Sequence, residues 1–102
     1  MGVIEVRKAL RDEIVTRDHG AKLRALIEAE LQSPPVIVDF GGLQIASVSF
    51  FDEAFGQLAL KCGESELRAK VRVRAIDPFD EALMNDIIHS RSVEGVKRAR
   101  RA

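Results

Sequence analysis

The chain has no tryptophan, no tyrosine, one cysteine and two histidines in 102 residues. Each shortage closes off a class of function. With Cys62 alone, no internal disulfide framework can form, which fits a reducing compartment. His19 and His89 fall at the ends of different helical segments and share no ligand spacing with Cys62, so no metal centre is expected. Five phenylalanines sit in apolar patterns that read as packing, which leaves few rings to stack on bases. No apolar run approaches the roughly twenty residues that cross a bilayer, and the N-terminus lacks a signal-peptide pattern. The expected location is the cytoplasm, away from membranes. Gly41, Gly42 and Gly56 do not have the spacing of a phosphate-cradling loop, and no nucleophile, base and orienting group can be assembled from the sequence. The sequence therefore reads as a binding protein without cofactor or catalysis.

What is present is a globular composition, 46% hydrophobic and 31% charged, sufficient for one domain with one core. The net charge is zero, but Lys97, Arg98, Arg100 and Arg101 all follow the last acid, Glu94. They leave 12 basic against 16 acidic residues before them, a body of −4. That bias runs opposite to a nucleic-acid-binding body. The expected division is a domain over residues 1–92 and a basic, disordered tail over 93–102.

Periodicity supplies the order of elements. Val3 to Arg7 reads as a first strand, with Glu13 to Val15 as a short second one paired to it. From Asp18 the period becomes helical, with Leu23, Leu26, Ile27 and Leu31 on one stripe, Thr16 or Asp18 as cap, and Pro34-Pro35 as terminator. Val36-Ile37-Val38 is a continuous apolar run, the pattern of a strand covered on both faces. A second helix starts near Phe50, with Phe51, Ala54, Phe55, Leu58 and Cys62 on its buried stripe and Gly63 at its end. Leu67 to Ile76 alternates, apolar residues against Arg68, Lys70, Arg72 and Arg74, as a half-exposed strand does. Asp77-Pro78 opens a last helix that buries Phe79, Leu83, Met84, Ile87 and Ile88. The expected fold is an α/β layer domain in the order ββαβαβα, with helices packed on a mixed sheet.

The stretch Val36 to Phe55 carries the functional signal. A buried strand ends at Asp39, Gly41-Gly42 turns the chain, and a loop with Ser47 and Ser49 feeds a helix, where α/β sheets commonly place binding sites. Ser49 with Asp52 three residues on has the form of a helix cap, the plain reading of that serine. Asp52 and Glu53 suit the positive end of a helix dipole as readily as they suit a partner. Asp39 can bond the glycine turn or serve a site, and Arg17 can order the site loop as an ion pair or stay solvated.

These residues resemble the STAS domain of bacterial anti-sigma factor antagonists, and more closely the STAS-like family of unknown function. The resemblance rests on Thr16-Arg17 with Gly20, on Asp39-Phe40-x-Gly42, on Ser47-x-Ser49-Phe50-x-Asp52-Glu53, and on Arg91 closing the last helix. It implies a regulatory module that docks onto a partner ATPase or kinase of the histidine-kinase-like superfamily. The docking residues implied are Arg17, Asp39, Gly42, Ser47, Ser49, Asp52 and Glu53. Ser49 falls on the serine that the antagonists present for phosphorylation. The antagonists carry Asp-Ser-Ser there and this chain Ser47-Val48-Ser49, so an acid of the kinase-recognition motif is missing. Two other readings stay open: nucleic-acid binding through the basic strand face and tail, and a homo-oligomeric subunit, most simply a homodimer.

Overall fold

A computed structural model of the chain describes residues 2–10 and 16–101. Strand β1 (Gly2–Glu5) runs directly into the short helix α1 (Val6–Leu10), and Thr16 opens α2 (Arg17–Glu30). Strand β2 (Val36–Asp39) follows Pro35. The chain next forms one rod over residues 48–62: α3 (Val48–Phe51), a π-helical turn (Asp52–Gly56) and α4 (Gln57–Cys62). Helix α5 (Glu64–Lys70), strand β3 (Val71–Arg74) and α6 (Pro78–Arg101) complete it.

The three strands pair in the order β1-β2-β3, both pairs parallel, with Ile4, Val38 and Val73 in register. The sheet was expected to be mixed; among the described residues it is parallel throughout, and the proposed second strand, Glu13 to Val15, lies outside them. Expected strand residues Val6 and Arg7 instead begin α1. Register decides which face is buried. Ile4, Val36, Val38 and Val71 point into the core, while Val3, Glu5, Arg72 and Arg74 form an exposed outer row. The central strand is thus covered on one face, and Ile37 on the other is only half buried.

The largest correction concerns residues 67–70. Their alternation predicts a strand, yet they finish helix α5, and β3 keeps only Val71–Arg74. Glu64 with Arg68 and Glu66 with Lys70 are ion pairs at helical i,i+4 spacing, with acids in the first turn and bases in the last. A period of two over four residues cannot outweigh that. Gly63, at φ 86°, separates α4 from α5.

The core is a cluster of four fully buried phenylalanines, Phe40, Phe50, Phe51 and Phe55, with ring centroids 5.3 to 6.5 Å apart. The fifth, Phe79, was expected inside and is 64% exposed, in the first turn of α6, where its neighbour Asp80 is the wholly buried residue. Cys62 was also expected inside and is exposed at the last residue of α4. Leu26 sits at the margin of the α2 stripe rather than within it. Helix α6 does not stop near Arg91 or yield to a tail at residue 93; it continues to Arg101, and at Gly95 its backbone passes close to the Leu60 carbonyl. None of the helices among the described residues is long and apolar enough to cross a membrane.

Gly20 sets the approach of α2 to α3. A Cβ there would collide with the Phe50 carbonyl and lie 2.9 Å from the Glu53 Cβ. Alanine ordinarily gains about 1 kcal/mol over glycine in a helix. Here Gly20→Ala is expected to cost about 2 kcal/mol net, because backbone that cannot yield must shift. Urea unfolding of the two proteins measures the sign directly.

Candidate functional site

The site is built from two fixtures that α6 imposes on the 43–62 segment. The first is a clamp. Asp77 caps α6, its Oδ2 accepting from the Phe79 and Asp80 amides, with Pro78 at the first helical position as expected. Asp80, wholly buried, then turns both oxygens away from its own helix: Oδ2 accepts from the Ile45 N–H at 2.6 Å and Oδ1 from the Ala46 N–H at 2.8 Å. Ala46 has φ 50°, a left-handed value that an alanine adopts only when held. The clamp fixes Ser47, which caps α3 by accepting from the Phe50 N–H.

Ser47 is the cap, then, and not Ser49. The expected Ser49–Asp52 capping pair does not form; Ser49 is the second residue of α3, half buried, with no side-chain hydrogen bond among the described residues. Val48 beside it is 60% exposed.

The second fixture is a chain of alternating charges. Arg91 forks onto Asp52, Nε to Oδ1 at 2.7 Å and Nη2 to Oδ2 at 2.9 Å. Its remaining nitrogen reaches Glu94 at 2.8 Å, and Glu94 takes Arg98 at 2.7 Å. On the other side Arg17 lies 2.6 Å from Glu53 and 3.9 Å from Asp52. Arg24 donates to the Glu53 carbonyl and side chain. The Arg91 guanidinium holds the Asp52 carboxyl below the usual carboxylate range, against the opposing effect of burial. Arg17 does the same for Glu53, and Arg91 for Glu94. Gly56 makes room for the fork, since a Cβ there would lie 2.5 Å from Asp52 Oδ1. Asp52 is the first residue of the π turn that ends at Gly56.

Arg17, Val48, Asp52, Ile87, Ser90 and Arg91 surround an open depression of about 400 Å³. Of the expected docking residues, the structure brings Arg17, Asp52 and Glu53 together beside the start of α3, with Asp52 mostly enclosed rather than displayed. Asp39 and Gly42 are engaged elsewhere. Asp39 accepts from the Gly41 N–H at 2.8 Å and from Arg74 at 3.0 Å, and these partners, Arg74 first, hold its carboxyl low. Gly42 donates to the Ala75 carbonyl, extending the β2–β3 ladder, and adopts φ 77° with open space around it.

The histidines have local roles. His19 Nδ1 accepts from the Thr16 N–H while Thr16 caps α2, and His89 meets Glu64 at 3.3 Å. Among the described residues no group of three or more His, Cys, Asp or Glu could hold a metal ion. Sequence reading missed Arg24, Asp80 and Glu94. The run Arg91, Glu94, Arg98 at i, i+3 and i+7 is a charge-pairing signal on one helix face. For Asp80 no such signal exists, since an acid in a first turn is ordinary.

Comparison with known proteins bears on the same stretch. The family model described as STAS-like domain of unknown function (DUF4325) matches residues 19–81, more than half of the chain. The chain belongs to this STAS-like family. No curated protein and no solved structure matches it. In this STAS-like domain the matched span runs from the capping His19 into the first turn of α6, and so contains the clamp and Asp52, whereas Arg91 lies beyond it.

Two outcomes test the fixtures. Asp80→Asn turns an amide NH₂ toward a backbone donor and is expected to cost about 1–3 kcal/mol. Hydrogen exchange at the Ile45 and Ala46 amides should quicken by more than the global loss explains. Arg91→Gln leaves Asp52 without its fork and should cost about 2–3 kcal/mol at pH 7. Because the folded Asp52 pKa is depressed, that stability is complete above the unfolded value near 4 and is lost as pH falls through the folded value. The gap between the two proteins in urea should therefore narrow at pH 3.

Proposed function

We propose that the domain is a regulatory protein-binding module that acts by docking and not by catalysis. Its docking surface is the start of α3, with Val48 and Ser49, together with the depression bounded by Arg17, Ile87 and Ser90. The observation that carries this reading is the exposed Val48 next to Ser49, on a helix start that the Asp80 clamp and the Arg91 fork hold in place. A surface already ordered loses little conformational entropy on binding. The kind of partner comes from the resemblance to anti-sigma factor antagonists: an ATPase or kinase of the histidine-kinase-like superfamily.

Ser49 is the proposed switch. A phosphate at the second position of a helix is favoured by the dipole and by the free amides of the first turn, so it would leave the fold intact. It would also set about two negative charges beside Val48 and oppose docking of an apolar or acidic partner surface. Nucleic-acid binding has less support than the basic alternation of residues 68–74 suggests. The four bases of the expected strand face are divided between α5 and β3, and Arg68, Lys70 and Arg74 each have an acid partner.

Tagged protein used as bait in its native host should recover an ATPase-like protein, and intact mass with ATP present should show one added phosphate. Ser49→Asp should weaken that capture by about tenfold or more with an unchanged thermal melt. Capture that survives the substitution would discard the switch; recovery of nucleic acid alone would discard the module.

A further inference from the structure

Strand β3 is an edge strand among the described residues, and its free side opens onto a groove of about 310 Å³ between the sheet and α6. Leu67, Val71, Met84 and Ile88 give the groove an apolar floor. The Arg74 carbonyl accepts from the Phe40 N–H on the β2 side. Because backbone groups alternate along a strand, the Val73 N–H and C=O point the other way, toward the groove.

Side chains alternate as well. Val71 and Val73 face inward, next to the groove, while Arg72 and Arg74 belong to the outer row. Of the bases from Arg68 to Arg74, Arg72 alone has no acid within ion-pair distance among the described residues. A strand laid beside β3 would meet this pattern with apolar side chains facing inward and acids beside the arginines. Two copies paired β3 against β3 fail the charge test, since arginines would lie beside arginines.

We propose that β3 and its groove take an extended segment of another protein as an added strand, one that alternates apolar and acidic residues. Main-chain bonds to Val73 would supply affinity, and the arginine row would supply specificity. This surface is separate from the Ser49 face and does not depend on that face's role.

The test uses the full chain with a fluorescein-labelled ten-residue peptide of alternating valine and aspartate, and a valine–lysine peptide as control. Fluorescence anisotropy should show the aspartate peptide binding at least about tenfold more tightly, and Arg72→Glu should remove that advantage. Arg72 is exposed, so the variant should keep the melting curve of the parent. Hydrogen exchange at the Val73 amide should slow when the aspartate peptide is added. Equal affinity for the two peptides would overturn the proposal, and so would an Arg72→Glu protein that binds as before. Binding that leaves the Val73 amide unchanged would place the peptide elsewhere and overturn it too. A dimer that forms with concentration and slows the same amide would assign the edge to a second copy instead.

Discussion

The forked pair between Arg91 and Asp52 holds together three things that separate sequence segments supply: the π turn of the central rod, the middle of α6 and, through Arg17, the start of α2. Asp52 is one of two buried acids among the described residues, and a carboxylate taken out of water is costly unless geometry compensates. Both of its oxygens are matched by planar guanidinium nitrogens, the arrangement in which Arg does what Lys cannot. Gly56 is a consequence of the same demand, since any side chain there would occupy the space of the fork. Asp52 opens the π turn and Gly56 closes it, so the acid and the glycine that makes room for its partner lie one turn apart.

Asp80 plays the complementary part at the other end of the segment. It spends both oxygens on the Ile45 and Ala46 amides, 35 and 34 residues earlier in the chain, so these two donors of the loop after β2 are satisfied by α6. Helix α6 therefore fixes the start of the rod through Asp80 and its middle through Arg91, with residues 47–51 held between. The four-phenylalanine cluster fills the space beneath. A loop containing a left-handed alanine stays in place because both the clamp and the cap that follows it close on the same few residues.

The sequence was most legible where a local rule and the tertiary structure demand the same thing. The α2 stripe through Leu23 and Ile27, the apolar Val36–Val38 strand, the Asp77-Pro78 helix start and the stripe of Phe51, Ala54, Phe55 and Leu58 all follow from periodicity and capping, and the structure keeps them. Reading failed where two rules compete over a few residues. Leu67 to Lys70 satisfies a period of two and also i,i+4 charge pairing, and the helix wins because Gly63 starts it. From sequence Ser49 is the cap; the Asp80 clamp, formed from far along the chain, gives that place to Ser47 instead. Cys62 fits an apolar stripe but is the last residue of its helix and exposed, and Phe79 fits one yet is exposed beside the wholly buried Asp80. Arg91 was picked out by resemblance, yet its partner was not deducible, because nothing local in a helix says which of many acids a distant arginine will meet.

The outer face of the sheet and the start of α3 pose opposite physical problems. The outer row of Val3, Glu5, Arg72 and Arg74 is exposed on a face that parallel sheets usually cover with helices, and charge is what makes the exposure tolerable. The start of α3 instead displays an apolar residue, Val48, from a backbone held on one side by the Asp80 clamp and on the other by the Arg91–Asp52 pair. An exposed valine on a mobile loop would be unremarkable, since isolated apolar residues are common on surfaces. On a held helix start it is different. The ordering of this backbone is already supplied by contacts inside the domain, so a contact made there would lose less conformational entropy than one made on a loop.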